Sequence, residues 1–111
     1  MGYPIKELVY RTLDCIKIVE AKYSNFQFSL NSLSDFLRGK ESKVINSFKL
    51  NGLRNFGMIK KIYYKQLQSF LNELIKEEIL SVDKENYNAI SIINSNVDDE
   101  MCKNIFSNVV K

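Results

Sequence analysis

Histidine and tryptophan are absent from these 111 residues, proline occurs once, cysteine twice and glycine four times. Without histidine there is no imidazole general base, no serine or cysteine triad and no imidazole metal ligand. The two thiols, Cys15 and Cys102, lie far apart and cannot assemble a four-ligand zinc site. Two lone thiols do not suggest a disulfide scaffold either, so a reducing, intracellular setting is expected. Neither a GxxxxGK[ST] phosphate loop nor a GxGxxG turn occurs. No apolar run reaches the length of a membrane helix, and no membrane partner is expected. The opening Met1-Gly2-Tyr3-Pro4-Ile5-Lys6 lacks a basic-then-apolar leader, and Lys6 stands where a myristoylation signal wants Ser or Thr. The acid pairs Glu77-Glu78 and Asp98-Asp99 are sequence neighbours and do not oppose each other across a cleft. No catalytic constellation is present, so the chain alone is not expected to be an enzyme.

What the chain does contain is an ordinary globular composition, 45% hydrophobic and 26% charged, sized for one domain over residues 1–111. Its net charge of +3 hides an uneven distribution. Between Arg38 and Lys65 stand Arg38, Lys40, Lys43, Lys49, Arg54, Lys60, Lys61 and Lys65 against the single acid Glu41, a local balance of +7. Residues 1–37 balance to zero and residues 66–111 to −4. A like-signed cluster on a small domain suits a polyanion, because each neutralised phosphate releases counterions. A solvated lysine-rich face would have the same composition.

Apolar residues recur at helical spacing from Ile5 through Leu8, Val9, Leu13, Ile16 and Val19 to Tyr23, with Pro4 suited to the first helical position. Phe26, Phe28 and Leu30 then alternate with polar residues, predicting a short half-buried strand. Asn31 or Ser32 is expected to cap a second helix, Asp35 completing a capping box from Ser32, with Leu33, Phe36 and Leu37 inward and a stop near Gly39. Ser42 starts a helical turn through Ile45. Phe48, Leu50, Leu53 and Phe56 predict another short helical segment that Gly57 closes. The longest helix is expected over 62–77, with Leu67, Phe70, Leu71, Leu74 and Ile75 as its core stripe. Opposite that stripe lie Lys65, Gln68, Ser69, Asn72 and Lys76, a face without one acid and chemically suited to phosphates and base edges. Residues 79–82 and 89–92 read as a hairpin whose polar tip holds one aromatic, Tyr87. Asp98, Asp99 and Glu100 open a last helix that Met101, Ile105, Val109 and Phe106 dock.

The expected fold is mostly α with a small β-wing: a winged helix-turn-helix with a three-helix core, a β-hairpin wing and a C-terminal helix. In such folds the third helix and the wing tip usually face DNA, although the same architecture also docks proteins. Phosphate contacts are therefore expected from Arg38, Lys40, Lys43, Lys60, Lys61, Lys65, Ser69 and Lys76. Three readings stay open at this point: a duplex-binding module, a winged-helix interaction module whose basic stretch meets an acidic partner, and a sequence-specific transcription regulator, the weakest because nothing suggests dimerisation.

Phe36-Leu37-Arg38-Gly39, the Leu53-x-x-Phe56-Gly57 ending and Leu74-Ile75 leading into Ile79-Leu80 resemble the RecQ C-terminal (RQC) domain, over roughly Val9 to Ile92. That domain belongs to RecQ-family DNA helicases, the Bloom and Werner helicases among them. The resemblance implies an excised, monomeric module of a longer enzyme that unwinds DNA in repair, recombination and replication, in the nucleus if eukaryotic. It implies double-stranded or forked DNA as partner, together with other repair proteins. Cofactors are expected only in the missing parts, ATP with magnesium in the motor and zinc in its neighbouring module, and none in this chain. By resemblance, Arg38 and Lys40 contact the duplex backbone, and Tyr87 is the wing-tip wedge that parts the end base pair. Four positions depart from the family pattern: Lys40 replaces a serine, Met58-Ile59 lacks the second glycine of that loop, Tyr63 replaces a capping serine, and Gln68 stands where some relatives are basic.

Overall fold

Pro4 precedes the first helix by one place: its φ is −59° and its carbonyl accepts the Leu8 amide at 3.0 Å. The computed structural model describes residues 4–23, 26–59 and 62–109. Helix α1 (Ile5–Lys22) buries the expected stripe, and adds Thr12 and Cys15 to it. The Thr12 hydroxyl donates to the Leu8 carbonyl at 2.8 Å, which satisfies a polar group in the core. Tyr23 ends the helix in extended backbone.

Cys15 has no exposed surface. Burial pushes its thiol up to about 11, against the weaker pull of a hydrogen bond with Asn55. The folded value lies above the ordinary 9.0, so the stabilisation held by the neutral thiol is complete below about pH 9 and is lost as the pH rises through about 11. Urea melts at about pH 8 and about pH 10.5 should therefore show the stability advantage of the native protein over Cys15→Ala shrinking. A constant difference would mean that Cys15 ionises as freely in the folded chain as in the unfolded one.

The strand expected over 26–30 reduces to one bridge. Phe26 and Phe28 do face inward, and the Ile90 amide donates to the Phe28 carbonyl at 2.7 Å, but Ser29 bridges Ala89 and then turns the chain into a helix. Helix α2 (Leu30–Arg38) accordingly starts a turn earlier than the expected Ser32 cap. Ser29 and Ser32 form the capping box instead: Ser32 N–H donates to Ser29 Oγ at 3.2 Å and Ser29 N–H to Ser32 Oγ at 2.8 Å. At the other end Gly39 takes φ 74°, Gly39 N–H reaches the Phe36 carbonyl at 3.2 Å, and Lys40 N–H reaches the Asp35 carbonyl at 2.8 Å. That pair of bonds is a Schellman cap.

Ser42 caps α3 (Lys43–Ser47) by accepting the Ile45 amide at 3.3 Å. The helical segment expected over 48–56 is only a single 3₁₀ turn, Leu50–Gly52, followed by hydrogen-bonded turns. Helix α4 (Tyr64–Lys76) is shorter than the expected 62–77 at both ends and buries Leu67, Phe70, Leu71 and Leu74. Strands β1 (Leu80–Asp83) and β2 (Ala89–Ile92) pair antiparallel, Leu80 opposite Ile92 and Asp83 opposite Ala89.

Helix α5 (Asp99–Val109) is capped by Asp98, whose Oδ1 accepts the Met101 amide at 2.8 Å. Ile105 and Val109 are buried and Met101 packs beside them, but Phe106 does not dock: it is about half exposed. Asn108 and Asn104 donate to Glu73 and Glu77 at 2.8 and 3.3 Å, so α5 covers the acidic flank of α4 and leaves its basic face open. The result is a mostly helical winged helix with a two-stranded wing, as expected from the sequence. Among the described residues no helix is long and apolar enough to cross a membrane.

Candidate nucleic-acid interface

Two glycines far apart in sequence set the geometry of the basic segment. A Cβ on Gly39 would lie 2.9 Å from the Gly57 Cα, and a Cβ on Gly57 would lie 3.2 Å from the Gly39 Cα. Both have φ 74°, a conformation that L side chains rarely adopt. This approach lets Gly57 N–H reach the Phe36 carbonyl and Ile59 N–H the Leu37 carbonyl, each at 2.8 Å. The Phe36 and Phe56 rings meet edge to face with centroids 5.6 Å apart. The two short motifs around Arg38-Gly39 and Phe56-Gly57 are thus two halves of one contact, and Gly57 serves that contact rather than closing a helix. It ties the loop between them to the end of α2.

Arg38 and Lys40 flank Gly39 at this junction. The Arg38 guanidinium lies 4.9 Å from the centroid of the Tyr64 ring, on the first residue of α4. Its ring partner is therefore Tyr64. A cation held over a ring keeps its charge while losing conformational freedom, which favours a fixed anion contact. Asn31, Asp35, Arg38, Lys40 and Tyr64 line an open cleft of about 460 Å³.

Helix α4 presents Lys65, Ser69, Asn72 and Lys76 to solvent, but Gln68 is only half exposed. Its Nε2 is buried without a hydrogen-bond partner among the described residues. Lys43 is exposed at the start of α3 and does not line the Arg38 cleft. Lys60 and Lys61 lie outside the described residues. Among the described residues the ion pairs are Lys6–Asp99 and Arg11–Glu7, both away from the basic segment. Arg38, Lys40, Lys43, Lys65 and Lys76 therefore carry charge that no acid among the described residues pairs with.

The wing tip is held by Asp83. Its carboxylate accepts the Glu85 amide at 3.1 Å, its carbonyl accepts the Asn86 amide at 3.1 Å, and the Asn86 carbonyl accepts the Ala89 amide at 3.0 Å. Tyr87 and Asn88 follow with φ 56° and 59°. A tyrosine at positive φ costs roughly 1–2 kcal/mol. The ring does not fold back over Val82 or Ile90, since the residue is 92% exposed. The two positive φ values and the Asn86–Ala89 bond are those of a type I′ hairpin turn, which leaves the ring in water.

Tyr87 also borders a hollow formed with Ser29, Leu30, Asn31 and Asn88. Asn31 is shared between that hollow and the Arg38 cleft. The exposed edge of α2 thus joins the wing-tip ring to Arg38, Lys40 and Tyr64 in one continuous surface. Of the residues along this surface, the sequence pattern singles out Arg38, Lys40 and Tyr87 and passes over Tyr64 and Asn31. The Tyr63-Tyr64 pair just ahead of an amphipathic helix, where a capping serine is usual, was the available signal.

The sequence model of a family described as the RQC domain matches residues 5–105, from the first turn of α1 to the middle of α5. No curated protein matches the chain.

Proposed function

The chain belongs to the RQC domain family, and from that premise we propose that it is the non-catalytic DNA-binding module of a RecQ-type helicase. In this reading it is one domain of a longer protein whose other parts hold ATP, magnesium and zinc. It works as a monomer that grips phosphates of a duplex or fork and parts the end base pair with Tyr87. The observation that carries the reading is the continuous surface from Tyr87 through Asn31 to Arg38 and Lys40, with both cations free of acidic partners among the described residues. Lys40 supplies a cation where the family has a hydroxyl, which favours a phosphate through charge in place of a neutral hydrogen bond. Lys43, Lys60, Lys61, Lys65, Ser69 and Lys76 extend the contact along the backbone. With the Gln68 Nε2 buried, Asn72 is the exposed amide left on the α4 face to pair with adenine, so sequence discrimination is weak.

The test is a fluorescence titration with duplexes of different sequence at several salt concentrations. Arg38→Ala or Lys40→Ala should weaken every sequence alike and make the log–log salt slope shallower by about one for each phosphate no longer neutralised. An unchanged slope with a selective loss on one sequence would contradict the phosphate assignment.

A further inference from the structure

We propose that Tyr63 is a stacking site for an unpaired base, giving this domain a single-strand subsite beside its duplex grip. The inference rests on the DNA-binding reading above and adds a ligand class to it. Tyr63 occupies the N-cap of α4, with φ −67° and ψ 145°, and its side chain makes no capping hydrogen bond. Serine, threonine, aspartate or asparagine there would accept an amide of the first turn, so tyrosine forgoes stabilisation that a smaller residue would supply. The ring gains nothing by burial either, since Tyr63 is 79% exposed. Two choices unfavourable to folding thus coincide at one residue, as happens where a side chain serves a ligand.

The neighbours define the ligand. Tyr64 is engaged by Arg38 at 4.9 Å, which leaves the Tyr63 ring as the more open of the two. Lys65 is exposed two positions on, the adjacent Tyr64 lines the cleft with Arg38, Lys40 and one acid, Asp35, and the first turn of α4 contains no acid. Open aromatic faces interleaved with unneutralised cations are what a single-stranded nucleic acid requires: rings for its bases and charge for its backbone. An acidic peptide would use the cations equally well but has no planar base for the ring.

The experiment compares the unmodified protein, Tyr63→Ser, Tyr63→Ala and Tyr63→Phe on oligothymidine, on polyglutamate and on a blunt duplex. Tyr63→Ala and Tyr63→Ser should each weaken oligothymidine by about tenfold, the range of one base–aromatic stack. Tyr63→Phe should stay within about twofold, because the ring does the stacking. Polyglutamate and blunt-duplex binding should be unchanged in all three. Tyr63→Ser should also raise the melting temperature by restoring a cap, which separates the binding loss from misfolding. Unchanged oligothymidine binding in Tyr63→Ala, or an equal loss on polyglutamate, would overturn the subsite. Blunt-duplex binding without any oligothymidine binding by the unmodified protein would remove this inference alone; binding of neither would remove the DNA-binding reading as well.

Discussion

Gly39→Ala is expected to cost the domain about 2–5 kcal/mol, a large share of the roughly 5–15 kcal/mol that holds a domain of this kind folded. Two effects add. The residue keeps φ 74°, where an L side chain is disfavoured by roughly 1–2 kcal/mol. The new methyl would also lie 2.9 Å from the Gly57 Cα. That neighbour is backbone pinned by two 2.8 Å hydrogen bonds, Gly57 to Phe36 and Ile59 to Leu37, so relief comes only by breaking them. Forced overpacking of this kind costs about 1–3 kcal/mol. Gly57→Ala, with 3.2 Å to the Gly39 Cα, should be somewhat milder. Gly52 is the internal control: a methyl there would meet nothing within 4 Å, so Gly52→Ala should change stability by less than about 1 kcal/mol. Urea denaturation of the three variants checks the ordering. Equal midpoints for Gly39→Ala and Gly52→Ala would mean that the glycine contact does not hold the loop.

Removing the Tyr87 ring should produce the opposite profile, a functional loss without a folding loss. Tyr87→Ala deletes a side chain that is 92% exposed and makes no core contact. Tyr87→Gly goes further, because it relieves the positive φ of 56°, and should raise stability by up to about 1 kcal/mol. Both variants should retain the affinity for blunt duplex, which is proposed to come from Arg38 and Lys40. Both should lose the wing's share of the extra affinity for a fork, since base–aromatic stacking is worth roughly 1–3 kcal/mol and unstacking a step costs a comparable amount. One ring can therefore nearly offset the opening of one pair, and its loss removes that contribution to the preference. Tyr87→Phe should behave like the native protein. Binding of forked and blunt duplex in parallel, with thermal melts of the same samples, measures both halves of this expectation. A Tyr87→Gly protein that melts lower while binding forks normally would assign the ring to folding instead.

The parts of the fold that were legible in the sequence are those whose pattern is local. Helix α1, helix α4 and the hairpin each carry enough residues in one period for the pattern to dominate. The errors fall where tertiary contacts choose between local options. Ser29, Asn31 and Ser32 are all competent caps, and the bridge from Ser29 to Ala89 selected the first. Over 48–56 the apolar spacing suggests helix, yet Asn51, Gly52 and Asn55 favour turns, and Leu50 reaches the core from a 3₁₀ turn. Phe106 lies on α5 beside a docking stripe that Ile105 and Val109 already fill. In the site, the resemblance marked Gly39 and Gly57 separately, but only the folded chain brings their backbones together. Tyr64 was missed for the same reason: its value lies in the Arg38 guanidinium above it, and no periodicity connects α2 to the start of α4.

The central claim is that this domain opens the end of a duplex with Tyr87 while Arg38 and Lys40 hold the backbone. A duplex carrying 2-aminopurine at its terminal pair reports that opening directly, because the base brightens when it leaves the stack. At saturating protein the native domain should raise the fluorescence, Tyr87→Phe should match it, and Tyr87→Ala should bind without the rise. An equal rise for the native domain and Tyr87→Ala would contradict the wedge and leave Tyr87 without a part in strand separation.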